Sequence, residues 1–263
     1  MLNCGALRAH RRQGAESHRP QYATPETHMR YALLLLLILA NPGYSADPIR
    51  VAVAANFRSV LEQINQQFQQ ETGHAVVLSS ASTGVLYSQI THGAPFDVFF
   101  AADKESVIKL AATDSNRDTG QPFCYALGRL VLAGGDGKLD QLNNPAKSLA
   151  IANPATAPYG TAAMAVLQRT EFSQGTGRKL VRGANAVQAY QFWHSGAVDL
   201  ALLPMALAPE ATAVPASWHQ ALEQFAIALS PAASHTALGS YLNWVRSDTV
   251  RALITDAGYE PCP

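Results

Sequence analysis

Two spacings of apolar residues alternate along the chain after residue 46. Residues 49–55 form a largely apolar run of strand length, and the apolar residues within 60–68 then recur at helical spacing until Gly73. Further strands are predicted at 75–80 and 97–102, each with a helix after it, and Asp103 is placed to cap the last of these helices. This βαβαβ order predicts a parallel sheet with helices on both faces.

A second set of strands and helices follows a polar stretch near residues 113–120. Its predicted strands are 148–152, 179–182 and 198–203, its helices begin near Gly160 and Ala186, and a strand at 225–229 and a helix at 238–256 complete the chain. We therefore predict an α/β protein of two lobes, each a mostly parallel sheet flanked by helices, with a ligand cleft between them. Lobe I is assigned to 47–124 plus 208–263, and lobe II to 125–207.

Residues 1–46 have the pattern of an export leader. Met29-Arg30-Tyr31 precedes the apolar run 32–40, and small residues follow it. This run is much shorter than the roughly 20 residues that span a bilayer. We interpret 29–46 as a signal peptide and expect a soluble periplasmic protein after its cleavage. Residues 1–28 are interpreted as an upstream extension that is not translated, with Met29 as the start; the alternative is a long pre-region.

The composition fits a protein with a large core and excludes some partners. Hydrophobic residues make up 48% of the chain and charged residues 14%, with 19 basic against 19 acidic side chains. This balance shows no basic surplus of the kind that nucleic-acid binding requires. Residues 1–46 hold five basic and two acidic side chains, so the rest of the chain is acidic by three charges.

The number of cysteines after the leader allows one disulfide in an exported protein. Cys4 lies in the leader, which leaves Cys124 and Cys262. Two thiols in an oxidising compartment can form one disulfide, although the sequence does not show whether these two meet.

Familiar catalytic motifs are missing from the sequence, while one geometric feature recurs. There is no HExxH, CxxC pair or GxSxG, and the histidines have no metal-ligand spacing. Four times, however, a predicted strand ends in small or hydroxyl-bearing residues and a helix begins at once. These turns are Ala54-Ala55-Asn56, Ser82-Thr83-Gly84, Ala157-Pro158-Tyr159-Gly160 and Asn185-Ala186-Val187.

The four turns predict an anion site. Each helix start offers backbone N–H groups without partners and the positive end of its dipole. Ligands of open α/β sheets bind at the carboxyl ends of the strands, so the turns are expected to meet in one cleft. They contain no lysine, arginine or carboxylate. Neutral donors suit a small anion without a proton, whereas phosphate, protonated near neutrality, would gain from a carboxylate acceptor.

Four segments resemble the periplasmic molybdate-binding proteins that serve ABC importers, and the similarity extends over nearly the whole chain after the leader. The segments are VAVAANFRSVL at 51–61, SSASTGVLYSQITHGAPFDVFFAAD at 79–103, ANPATAPYGTAAMAVL at 152–167 and NAVQAYQFWHSGAVDLALLP at 185–204. The resemblance implies a two-lobed periplasmic-binding-protein fold of type II, closing about a hinge on one tetrahedral oxyanion.

The resemblance also implies the ligand-binding residues. Asn56 has the first contact position, Thr83 has the hydroxyl contact with Ser82 as a close competitor, and Tyr159 and Val187 have the positions that supply backbone N–H groups. The same residues form the metal site if molybdate is counted as a metal ligand. No catalytic residue and no cofactor are implied.

We therefore predict a monomeric receptor, not an enzyme, that captures molybdate or tungstate for an ABC-transporter permease in the inner membrane and binds no nucleic acid. The alternatives are a receptor for sulfate, thiosulfate or another oxyanion, a metal-cation receptor, and, from a different class, a secreted hydrolase with Ser82 or Thr83 as nucleophile. The four turns contain no histidine or lysine to act as a base for the hydrolase. They also lack the carboxylates and imidazoles of a cation site.

Overall fold

Two five-stranded sheets form the part of the chain that the computed structural model describes, residues 47–113, 120–230 and 237–263. The predicted extension and signal peptide lie outside these residues. None of the helices within them has the length and apolar character needed to cross a membrane.

Each sheet has helices packed around it. The strands of the first sheet are β1 (Ile49–Ala54), β2 (Val76–Ala81), β3 (Val98–Ala101), β4 (Phe123–Gly128) and β10 (Leu222–Ala228). Those of the second are β5 (Leu130–Gly134), β6 (Leu149–Ala152), β7 (Leu180–Gly183), β8 (Leu200–Pro204) and β9 (Thr212–Ala213). The helices are α1 (Arg58–Thr72), α2 (Thr83–Thr91), α3 (Lys104–Thr113), α4 (Pro158–Leu167), α5 (Ala186–His194), α6 (Leu238–Trp244) and α7 (Asp248–Asp256).

The strand orders are β2-β1-β3-β10-β4 and β7-β6-β8-β5-β9. In the first sheet β1 pairs in parallel with β2 and β3, while β10 is antiparallel to β3 and β4. The second sheet repeats this pattern, with β5 antiparallel to β8 and β9. The α/β fold of two lobes is confirmed, and each sheet is mostly parallel, because four of its five strands run in the same direction. The strands that follow a crossing between lobes, β5 and β10, start at the cleft side and therefore run the opposite way.

The crossings between the lobes lie a few residues beyond the predicted boundaries. Strand β4 keeps the chain in the first lobe as far as Gly128, so the first crossing is at Arg129 rather than after Cys124. Strand β9 keeps it in the second lobe until Ala213, so the return falls within 214–221 rather than at 208. Only Arg129 separates β4 from β5, and a two-residue strand such as β9 is too short to leave a pattern.

Helix α1 shows how local sequence determines an element. Its buried face is formed by Val60, Leu61, Ile64 and Phe68, as their spacing predicts. It ends at Gly73, whose φ of 74° suits a residue without a side chain and whose N–H donates to the Gln69 carbonyl.

The predicted helix at 238–256 is two helices. Ser247 interrupts it with an extended backbone, and its hydroxyl accepts a hydrogen bond from the Val250 N–H at 3.3 Å. This N-cap starts α7 in a new direction. The apolar spacing alone did not reveal the break.

Candidate anion-binding site

A small cavity lies where the carboxyl ends of strands from both sheets meet. All four predicted turns contribute to its wall. The lining residues are Ala54, Ala55, Asn56, Ser82, Thr83, Ala102, Ala157, Pro158, Tyr159, Asn185 and Ala186. The expected convergence of the turns is therefore observed, and the residues of this wall are all uncharged.

At this cavity the start of helix α4, in the second lobe, offers a backbone N–H group without a partner in the described part of the chain. Tyr159 is the second residue of α4, after Pro158, which has no N–H. Gly160, the third residue, donates to the Ala157 carbonyl at 2.8 Å. Among the described residues none accepts a hydrogen bond from the Tyr159 N–H. This donor is thus available to a ligand at the positive end of the helix dipole.

Helix α5 repeats this arrangement. The Asn185 side chain caps it by accepting from the Gln188 N–H at 3.0 Å. The two residues between them, Ala186 and Val187, are in the first turn, where N–H groups have no partner within the helix. Asn185 and Ala186 line the cavity, whereas Val187, the predicted contact, lies one residue beyond its wall.

The two hydroxyls at the start of α2 are buried and differ in their partners. Thr83 is 1% exposed, and its Oγ1 accepts a hydrogen bond from the Ala102 N–H at 3.0 Å, which orients the hydroxyl and leaves its proton free. Ser82 is 4% exposed, and its Oγ has no hydrogen-bond partner in the described residues. An unpaired buried hydroxyl destabilises the empty protein, and a bound acceptor would remove that cost.

Asn56 lies in a 3₁₀ turn directly after β1 and is almost fully buried. Its Nδ2 donates to Gln224 Oε1 at 2.7 Å and to the Tyr259 hydroxyl at 3.2 Å, and that hydroxyl donates to the Asn56 carbonyl at 2.9 Å. Both amide hydrogens are therefore engaged within the first lobe. Asn56 lines the cavity and also fastens the turn that forms this part of the wall.

Tyr159 connects the second lobe to the same network. Its hydroxyl is 3.4 Å from Gln224 Nε2 and fills the space beside Gly128, where any Cβ would overlap it. Gln224 also accepts from the Tyr125 hydroxyl at 3.0 Å. Burial raises the pKa of the Tyr125 and Tyr159 hydroxyls well above their ordinary value. Both rings therefore remain neutral, and neither opposes an anion.

This supporting layer was not predicted from the sequence. Gln224 is completely buried in β10, and a glutamine inside a strand of mostly apolar residues is a usable signal for it. Tyr259 lies in the short segment after α7 and carries no such signal. The sequence around Gly128 does not show that the Tyr159 hydroxyl fills the space where a side chain would be.

The side chains of the cavity wall argue against two of the alternatives, the hydrolase and the metal-cation receptor. A hydrolase with Ser82 or Thr83 as nucleophile would need a base, and the cavity wall contains no histidine, lysine or carboxylate. In residues 47–113, 120–230 and 237–263, no three His, Cys, Asp or Glu side chains gather as a cation site would require. What the wall offers is hydroxyls and backbone N–H groups, which solvate an anion.

Comparison with known proteins shows the family to which the chain belongs. The chain belongs to the bacterial extracellular solute-binding protein family, whose model matches residues 49–260. Two of the relatives named molybdate-binding protein ModA match over most of the chain. That of Azotobacter vinelandii is 34% identical over 250 residues, covering 88% of this chain and 99% of the relative. That of Rhodobacter capsulatus is 34% identical over 238 residues, covering 87% and 94%.

A solved structure agrees with these relatives. The periplasmic molybdate-binding protein of Azotobacter vinelandii superimposes with a TM-score of 0.74 at 33% identity, and the match covers 82% of this chain and all of that one. The two-lobed fold is thus shared with a protein of the same class over nearly every described element.

Proposed function

We propose that this protein is a periplasmic receptor that binds molybdate or tungstate and delivers it to the permease of an ABC transporter. The observation that carries the proposal is the uncharged cavity between the lobes, where the free Thr83 proton and the unpartnered Ser82 hydroxyl face helix starts with unused N–H groups. The names of the relatives support the choice of ligand and the compartment.

The proposal also includes export of the protein to the periplasm and its action as a single chain. The signal peptide predicted at 29–46 and the periplasmic location named for the solved relative support export. The ligand is held by hydrogen bonds alone, so no bond is made or broken and no cofactor is needed. We propose that the protein acts as a monomer.

The protonation state and the size of an anion determine whether we expect it to bind in this cavity. The wall has no carboxylate to accept the proton that phosphate carries near neutrality, so a fully deprotonated tetrahedral dianion is favoured. Sulfate meets this condition too. Molybdate and tungstate are larger tetrahedra of the same charge, so the size of the closed cavity is expected to separate them from sulfate.

A panel of oxyanions in a thermal unfolding assay tests this function. A ligand that binds only the folded state, at 100 times its Kd, adds about 2.7 kcal/mol of stability, which should raise the Tm by about 5–10 °C. We expect this shift with molybdate and with tungstate, and a much smaller one with equal concentrations of sulfate and phosphate. A sulfate shift as large as that of molybdate would select the sulfate-receptor alternative.

The contact between the lobes gives a second prediction. The Gly84 N–H, at the start of α2, donates across the cleft to the Thr156 carbonyl at 2.9 Å, and a Cβ on Gly84 would lie 3.2 Å from the Thr156 Cα and carbonyl oxygen. Gly84→Ala should therefore hinder closure and weaken molybdate binding by about threefold to tenfold, because a smaller fraction of the protein reaches the competent state.

Calorimetric titration of that variant beside Gly239→Ala provides the measurement. A Cβ on Gly239 meets nothing within 4 Å, so this control should bind like the unmodified protein. Equal affinity of Gly84→Ala and the control would mean that the Gly84–Thr156 contact has no part in closure.

A further inference from the structure

The segment after α7 begins beside the anion cavity and runs antiparallel to β4, away from the cavity. Gly258, with a φ of 89°, turns the chain out of the helix, and Glu260 then exchanges two backbone hydrogen bonds with Leu127 at the edge of the first sheet, of 2.8 and 2.9 Å. Cys262 forms a disulfide with Cys124 of β4. The segment is thereby fastened beside the strand that leads to the first crossing between the lobes.

Within this segment only Tyr259 is deeply buried. It is 3% exposed and packs edge-on against Phe57, with ring centroids 5.5 Å apart, whereas Glu260, Pro261 and Pro263 are exposed. Tyr259 is part of the core of the first lobe, but the residues after it are largely exposed, and such a chain end is poorly ordered unless it is tied down. The disulfide and the hydrogen bonds to the edge of β4 therefore tie down this chain end and help to keep Tyr259 in position.

The Tyr259 hydroxyl reaches the back of the cavity wall. It donates to the Asn56 carbonyl at 2.9 Å and accepts from the Asn56 side-chain amide at 3.2 Å. Two bonds to the backbone and side chain of one residue fix both the path of the 3₁₀ turn and the orientation of its side chain. The direction of the N–H groups that Ala55 and Asn56 contribute to the wall depends on that path.

We propose that Tyr259 is a positioning residue of the oxyanion site, and that the Cys124–Cys262 disulfide secures it there by anchoring the C-terminal segment. The proposal rests on the proposed function. Tyr259 does not touch the ligand; it acts through Asn56. Loss of either the hydroxyl or the anchor lets the turn relax and reduces affinity without changing the residues of the cavity wall.

Two tyrosine-to-phenylalanine variants test the first part of the proposal. Tyr259→Phe keeps the ring against Phe57 and removes only the hydroxyl, and we expect it to weaken molybdate binding by about fivefold or more. Tyr241→Phe is the matched control, because Tyr241 is also fully buried in the first lobe and donates one hydrogen bond, to Asn65 Oδ1 at 2.8 Å, outside the cavity wall. It should lower the Tm and leave the affinity unchanged.

The combination Cys124→Ser and Cys262→Ser tests the anchor, and we expect a loss of about threefold or more in affinity. If these variants fold poorly, the unmodified protein is titrated before and after reduction by a phosphine, with thiols counted to confirm opening of the bridge.

Unchanged affinity of Tyr259→Phe would overturn the positioning role, and unchanged affinity after loss of the disulfide would overturn the anchor. Absence of binding by the unmodified protein to any oxyanion of the panel would instead refute the proposed function.

Discussion

Replacing Thr83 by valine should weaken molybdate binding by about 10- to 100-fold. A hydrogen bond to a charged group contributes about 1.5–3 kcal/mol, and valine keeps the shape of threonine while removing the donor. The threonine hydroxyl already accepts from the Ala102 N–H, so its single proton is directed elsewhere, and Thr83 is part of the cavity wall. Calorimetric titration of the purified variant provides the measurement.

Thr83→Ser is the control for that experiment. Serine retains both the acceptor for Ala102 and the free proton, so its affinity should remain within about threefold of the original. Full affinity in Thr83→Val would contradict the assignment and transfer the hydroxyl contact to Ser82, whose Oγ has no partner among the described residues. Ser82→Ala would then be expected to show the loss.

Gly160→Ala should cost about 1–3 kcal/mol of the free energy of unfolding and also reduce affinity. A Cβ there would overlap the Ala152 carbonyl oxygen and lie 2.8 Å from backbone atoms of Asn153 and Pro154. Backbone cannot rotate away as a side chain can, so the start of α4 must shift. That shift moves the Tyr159 N–H, one residue earlier, away from its place in the cavity wall.

Urea unfolding and titration of the same preparation measure both effects of Gly160→Ala. Gly239→Ala again serves as the control, because its Cβ would stand in open space within a helix, and alanine there should leave stability unchanged or raise it slightly. A Gly160→Ala protein as stable as this control would contradict the close packing of α4 on the end of β6.

Local features of the fold could be predicted because their causes lie within a few residues. The spacing of the apolar residues within 60–68 predicted the buried face of α1, and these residues are buried. Asp103 was predicted to cap α3, and its Oδ1 accepts from the Ser106 N–H at 2.7 Å. The turns of the anion site were recognisable for the same reason, since each is a strand end followed at once by a helix start.

Features that depend on distant partners were not predictable from pattern. Asn56 is 168 residues from Gln224 and 203 from Tyr259, so nothing near Asn56 in sequence indicates that both hydrogens of its side-chain amide have partners. The disulfide joins residues 138 apart, and the sequence left its formation open. The crossings at Arg129 and 214–221 were misplaced because the lobe to which a strand belongs depends on its pairing partners, which are distant in sequence.

The central claim is that a tetrahedral dianion such as molybdate occupies the cavity between the two lobes. Diffraction at the molybdenum absorption edge, from crystals grown with molybdate, tests ligand and position together. We expect one anomalous peak per chain within the cavity, with an oxygen of the anion about 2.7–3.2 Å from Thr83 Oγ1 and another within reach of the Tyr159 N–H. A peak elsewhere on the protein, or none at a molybdate concentration that saturates binding, would contradict the claim.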